Sequence, residues 1–158
     1  MKGLITATII ATLTLVFNIN AFAETNTPKA VALEFAEAYY MLDKSFENFL
    51  CKECKLDEDE NKISDIFFNK IQKKSENMGY KPGFLKSTLS NMKAEILVSD
   101  ESSAKVNIIG KRSRSINTLY NLVGRLFCLI ETYDVDEVVN LVKVEGKWKV
   151  KDLSIDIM

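Results

Sequence analysis

The hydrophobic positions of this chain change period part-way along it, and that change limits the folds open to it. Up to Gly79 the apolar residues recur three and four apart, and from Ala94 onward they alternate with polar ones. A helix returns to the same face every 3.6 residues and a strand every two. A helical first half followed by a strand-rich second half predicts an α+β fold, not alternating βαβ units.

Individual signals place the elements. Thr27-Pro28 opens the first helix, with Thr as N-cap and Pro where its missing N–H is not needed. Val31, Phe35, Ala38, Tyr39 and Leu42 follow at helical spacing. Asp43-Lys44-Ser45 breaks or bends the run, and Phe46, Phe49 and Leu50 form a second short amphipathic piece. A further helix is expected from Asn61 to Asn77, with Ile63, Ile66, Phe67 and Ile71 on its buried face. Lys73 and Lys74 fall in its last turns, and Gly79 takes the left-handed cap. Lys81-Pro82-Gly83 reads as a loop, with a helical turn from Phe84 to Leu89. Ala94, Ile96 and Val98, then Ala104, Val106 and Ile108, predict a hairpin with one buried face around a turn at Ser99–Ser103. Val138 to Val144 is a β-branched strand, turned at Glu145-Gly146. Beyond it Trp148 and Val150 face away from Lys147, Lys149 and Lys151. Leu153, Ile155 and Ile157 lie on the opposite parity, so either a bulge near Lys151-Asp152 returns them to the core or the strand ends at Asp152. The spacing of Ile116, Leu119, Tyr120, Val123, Leu126, Phe127 and Ile130 favours an extra helix over 115–131 capped by Ser115. The β-rich ends of that segment also permit strand.

The first residues have the three parts of a secretory signal peptide. Lys2 supplies the charge, Leu4 to Phe17 the apolar run, and Ala21-Phe22-Ala23 the A-x-A cleavage pattern. A spanning helix needs about 20 predominantly apolar residues, and Asn18 ends this run sooner. Cleavage between Ala23 and Glu24 is therefore expected, with residues 1–23 the signal and 24–158 a single domain. No cysteine stands at the cleavage site for lipid attachment. The product is expected to be exported, periplasmic or secreted, and soluble, with no membrane span. The formal net charge of −1 becomes one unit more negative once Lys2 is removed. That balance argues against a nucleic-acid surface, which wants a basic field.

The chain contains no histidine. This removes the commonest general base, the Ser-His and Cys-His pairs, and the commonest metal ligand. Cys51 and Cys54 form a C-x-x-C, and Cys128 is the third cysteine. A redox site wants that motif at a helix N-terminus after a strand, whereas here it follows the run Phe46 to Leu50. A zinc site wants four ligands, so no metal and no cofactor is expected. Export instead favours a structural disulfide, and Cys51–Cys54, Cys51–Cys128 and Cys54–Cys128 are all open. Asp57, Asp59, Asn61 and Asp65 fall at calcium-loop spacing, but Lys62 replaces the turn glycine and Phe68 the bidentate glutamate. A solvated acidic loop ahead of a helix is the better reading. Lys111-Arg112-Ser113-Arg114 reads as a solvated strand end that could contact an anionic partner.

Acid–base chemistry without histidine would draw on Tyr39, Tyr40, Asp43, Asp65, Glu131 and Asp134, with a buried carboxylate beside a tyrosine donor. No spacing singles out a pair, so no catalytic residue is assigned. Phe35, Tyr39, Phe46, Phe49, Phe67 and Trp148 form first a core, and second a pocket lining.

With its N-terminal Pro-started helix and its ending V-V-N-L-V-K-V-E-G-K-W-K-V-K-D-L-S-I, the chain resembles the NTF2-like superfamily over Pro28 to Ile157. The likeness is to small exported bacterial domains of unknown function with the same Gly146-Lys147-Trp148-Lys149 hairpin. A helix at 115–131 would depart from the family pattern. The resemblance implies helices packed across a curved antiparallel sheet, leaving a conical cavity. Phe35, Tyr39, Phe46, Phe67 and Trp148 are the candidate lining. Two functions follow. One is a binding or interaction module for a small apolar ligand or a protein partner, with dimer formation left open. The other is a small isomerase, dehydratase or hydrolase using Asp or Glu with Tyr. Fold alone does not choose between them.

Overall fold

The structure is a computed structural model, and it describes residues 26–56, 59–114, 123 and 130–151. Among the described residues the helices precede the strands, as expected. Helix α1 spans Pro28–Tyr40 and helix α2 spans Ile63–Asn77. Strands β1 (Ser87–Ser99), β2 (Ser103–Arg114), β3 (Thr132–Val144) and β4 (Lys147–Val150) form an antiparallel sheet in the order β1-β2-β3-β4. Residues 1–25 with the expected signal peptide and cleavage point, Asp57, residues 115–122, residues 124–129 with Cys128, and the residues from Asp152 onward lie outside the described residues, so most of the expected extra helix and the terminal bulge lie outside them too.

Capping chemistry sets the helix ends. The Thr27 hydroxyl accepts the Ala30 N–H at 3.2 Å, and Pro28 occupies the first turn. At the other end the Leu42 N–H reaches the Tyr39 carbonyl and the Asp43 N–H the Ala38 carbonyl, at 3.1 and 2.9 Å. This paired closure needs a left-handed residue, and Leu42 takes it at φ 53°. The helix therefore stops at Tyr40, short of the apolar Leu42 that its spacing suggested. The next piece, Lys44–Phe49, is a 3-10 turn, with the Asp43 carboxylate accepting the Ser45 N–H at 2.9 Å. Helix α2 closes in the same manner on Gly79, at φ 71°, with the Tyr80 N–H on the Ser75 carbonyl at 2.8 Å.

α1 packs across all four strands, and the core fills the space between them. Val31, Ala32, Phe35 and Ala36 meet Ala104, Val106, Ile108, Val139, Leu141 and Val150, all of them buried. Phe46 and Leu50 close one side, and the Cys51 N–H donates to the Val150 carbonyl at 3.0 Å. Cys51 and Cys54 stand at disulfide distance, 5.1 Å between Cα atoms. The β3–β4 hairpin turns on Glu145 and Gly146, both at positive φ, as a two-residue hairpin requires. Asn26 ties that hairpin to the start of α1, giving its amide to the Gly146 carbonyl and accepting the Trp148 N–H, each at 3.0 Å.

Three details differ from expectation. Pro82–Leu85 is a short 3-10 turn, and Leu89, expected at the end of a helical turn, lies in β1. β3 starts at Thr132, six residues before Val138, its polar start supported across the ladder by an Asn107–Asp136 side-chain hydrogen bond of 3.0 Å. β1 carries two bulges. Asn91 and Met92 together face Gly110, and Leu97 is the extra residue between the Ile96–Val106 and Val98–Lys105 pairs. Each extra residue flips the strand's phase. Ala94 and Ile96 thus pair with the inward Ile108 and Val106, whereas Val98 pairs with outward Lys105 and is 64% exposed. The single buried face expected for Ala94, Ile96 and Val98 is therefore broken at Leu97. The β1–β2 turn is held by Asp100, whose carboxylate accepts the Ser102 and Ser103 N–H groups and both hydroxyls. Those bonds, the Ser103 hydroxyl foremost, hold its pKa down at about 2.

Candidate functional site

The inner face of the sheet changes chemistry along its length. On β2 the inward residues run Ala104, Val106, Ile108, Gly110, Arg112, Arg114. The β3 partners of the first five run Leu141, Val139, Glu137, Val135, Tyr133. The pairs near the β1–β2 turn are apolar and make the core. Those at the far end are cationic and phenolic and do not close. A cavity of about 440 Å³ opens there, between that end of the sheet, the end of α1 and the last turns of α2. Tyr39, Leu42, Phe67, Met78 and Leu85 give it apolar walls. Lys74, Arg112 and Arg114 give it three cations, and Tyr40, Tyr133 and Ser87 give it hydroxyls.

Tyr40 is the best-defined polar group of the wall. It is 5% exposed, and its hydroxyl donates to Glu137 Oε1 at 2.5 Å. Burial raises its pKa well above the ordinary tyrosine value, and the Glu137 carboxylate raises it further, against a smaller lowering by Arg112. The phenol is thus a fixed donor at neutral pH. The Arg112 guanidinium lies over the Tyr40 ring at 5.6 Å and over the Tyr133 ring at 5.5 Å. At the rim the Tyr133 hydroxyl donates to Glu131 Oε2 at 2.6 Å, a bond that raises its own pKa.

A Tyr40→Phe variant is expected to lose about 1–3 kcal/mol, because the half-buried Glu137 loses a donor. A phenol with a raised folded pKa contributes stability that is complete below the unfolded value and fades as pH climbs through the folded one. The wild type should therefore lose stability above about pH 10 more steeply than the variant does. Urea midpoints at neutral and alkaline pH check both points, and parallel alkaline arms would contradict the second.

The structure separates the residues singled out from the sequence. Tyr39, Tyr40 and Phe67 line the cavity. Phe35 and Phe46 are fully buried behind it, in ring contact with Tyr39 at 5.7 and 5.8 Å. Trp148 pairs with Lys143 near the opposite end of the sheet, and Lys143 lies over its ring at 5.6 Å. Asp43 is exposed and caps a 3-10 turn, and its bond from the Ser45 N–H holds its pKa below the usual range. Asp65 is exposed in the first turn of α2, Asp134 is exposed, and Glu131 bonds Tyr133 at the rim. The carboxylate that meets Tyr40 is Glu137, which was not among the candidates from the sequence. Its signal was parity, since Val135, Glu137, Val139 and Leu141 alternate on one face once β3 is started at Thr132. The run at Lys111 to Arg114 also divides: Lys111 is exposed, whereas Arg112 and Arg114 face the cavity.

No protein-family model and no curated protein matches the sequence. The fold is similar to that of a solved NTF2-like protein. That structure is of an NTF-2 like protein of unknown function from Shewanella oneidensis, 12% identical, with a TM-score of 0.43. The likeness covers 77% of this chain and 88% of the other. Helices packed on a curved antiparallel sheet are common to the expectation and to the structure. Among the described residues, no helix is long and apolar enough to cross a membrane.

Proposed function

We propose that this chain is an exported binding module of the NTF2-like kind, which takes a small, largely apolar ligand into the cavity at the open end of its sheet. The observation that carries the reading is the cavity itself, about 440 Å³ with apolar walls and a few convergent polar groups. Small-molecule sites commonly measure about 300–1,000 Å³ with such a lining. The hydrogen bonding of the wall suits binding better than turnover. The Tyr40 proton is committed to Glu137, and its raised pKa makes it a reluctant acid.

Native mass spectrometry of the protein purified from its own cell tests this. A mature chain starting at Glu24 with Cys51 and Cys54 oxidised is the expected form, carrying a bound small molecule or rising in Tm when decanol is added. A chain retaining Met1 would remove the export claim. An empty cavity that no apolar probe stabilises would remove the binding claim.

The second reading is a small acid–base enzyme. The observation favouring it is that a carboxylate, Glu137, and a phenol, Tyr40, meet at the cavity wall. A substrate that Glu137→Gln still binds but no longer turns over would establish it.

A further inference from the structure

We infer that the turn after α2 is a docking surface for an anionic phospholipid bilayer, with Tyr80 and Phe84 entering the headgroup layer and the lysines beside them meeting lipid phosphates. This goes beyond the binding reading and does not depend on what the cavity holds. The turn runs from the end of α2 at Asn77 to the start of β1 at Ser87. It exposes three large apolar side chains, Met78 at 44%, Tyr80 at 48% and Phe84 at 39%. The rings of Tyr80 and Phe84 stack on each other, 5.6 Å between centres and 23° between planes. A single exposed apolar residue is ordinary, but an apolar knob of neighbouring side chains marks an interaction surface.

Charge selects the kind of surface. Residues 70–86 hold five lysines and one glutamate, in a chain whose formal net charge is −1. Lys70, Lys73, Lys81 and Lys86 are exposed in the last turns of α2 and in the turn itself. Two acidic groups stand by them. Glu76 accepts the Gln72 amide at 2.9 Å, and Asp43 is within electrostatic reach of Lys86. With both counted, the basic groups still outnumber the acidic ones. A bilayer senses that sum of charge, whether or not one lysine has a partner. The residue types also suit the headgroup layer: a tyrosine ring with a polar tip, and long lysine stems that carry their charge to water. A second copy of the chain would set these lysines against themselves about a two-fold axis, which disfavours a homodimer here. The backbone of the turn suits entry as well. The Tyr80 N–H bonds the Ser75 carbonyl at 2.8 Å and the Phe84 N–H the Lys81 carbonyl at 2.9 Å, so neither donor must be stripped of water. Met78 and Leu85 belong both to this turn and to the cavity wall, so a docked chain holds that wall beside the bilayer.

The test is sedimentation of the mature protein with vesicles of phosphatidylcholine alone and of phosphatidylcholine mixed with phosphatidylglycerol. Binding to the mixed vesicles should be on the order of tenfold tighter and should weaken as salt is raised. Lys73→Gln and Lys81→Gln should each weaken it about fivefold. Tyr80→Ser and Phe84→Ser should each weaken it by about the same factor. All four positions are exposed, so the urea midpoints of these variants should stay near that of the wild type. Tyr80→Trp should shift its emission to the blue with the mixed vesicles and not with the neutral ones. Failure to bind the mixed vesicles, equal binding to both kinds, or binding that survives Tyr80→Ser and Phe84→Ser would each overturn the proposal. Capture of an acidic protein through these residues without vesicle binding would overturn it too, and would place a protein on the turn instead. None of these results bears on the cavity, whose own probe is the decanol shift described above.

Discussion

A Phe46→Ala variant is expected to lose about 3–5 kcal/mol, the range for truncating a large ring in a closed core. Phe46 is fully buried, yet it comes from the 3-10 turn Lys44–Phe49 and not from a regular helix. Its ring lies 6.3 Å from Phe35, 5.8 Å from Tyr39, 5.2 Å from Phe67 and 6.1 Å from Phe68, centre to centre. Two of those partners sit on α1 and two on α2, so the single ring joins the helices. Aromatic pairs of this kind contribute about 0.5–1.5 kcal/mol each beyond the area they bury. A domain's whole stability is about 5–15 kcal/mol, so the variant should stand near the edge of folding. Urea denaturation checks it, with a lower midpoint and an unchanged slope expected. Phe46→Leu keeps more of the volume but loses the ring contacts, and should cost less than Phe46→Ala. Equal losses for the two variants would mean that ring geometry, not the cavity left behind, sets the cost.

The same cluster shows what the sequence could disclose. Periodicity found Phe35, Tyr39, Phe46 and Phe67 as one apolar set, because a buried face repeats locally along each element. It could not divide the set into rings that fill space and rings that border a gap. That division depends on where the sheet stops facing α1, which is a property of pairings nearly one hundred residues apart in places, such as Tyr40 with Glu137. Trp148 was misplaced for the same reason. Its burial was legible from alternation with Lys147 and Lys149, but its distance from the cavity followed from the β3–β4 register. The basic run at Lys111 to Arg114 was visible as charge, and only the ladder with β3 assigned Arg112 and Arg114 to the inner face. Caps were the most legible features. Thr27, Pro28 and Gly79 each act through neighbours within a few residues, and all three behave as expected. The helix end at Tyr40, earlier than the apolar spacing suggests, is closed by a left-handed Leu42, a residue with no special preference for that conformation.

Gly110→Val is expected to destabilise the chain by about 1–3 kcal/mol or more, although valine favours strands. Strand preference alone would predict a gain, so the sign of the measured change decides between the two effects. Gly110 faces the bulge of β1, where Asn91 takes φ 54° and two residues oppose one. A Cβ at Gly110 would lie 3.2 Å from Met92 Cα and 3.2 Å from the Ser90 carbonyl oxygen, and would overlap Met92 Sδ. Methionine is flexible and its sulfur can swing aside. The two backbone atoms cannot move without opening the β1–β2 ladder. Adding Met92→Ala should therefore fail to restore the lost stability, and a full restoration would show that side-chain crowding alone was at fault. The position matters beyond stability, because Gly110 precedes Arg112 by one inward step on β2 and pairs with Val135 one inward step from Tyr133. Forcing β1 away at this point would shift Ser87 and Leu85 relative to Arg112, and both border the cavity. Any variant that folds should consequently bind a cavity ligand more weakly than its stability loss alone would suggest.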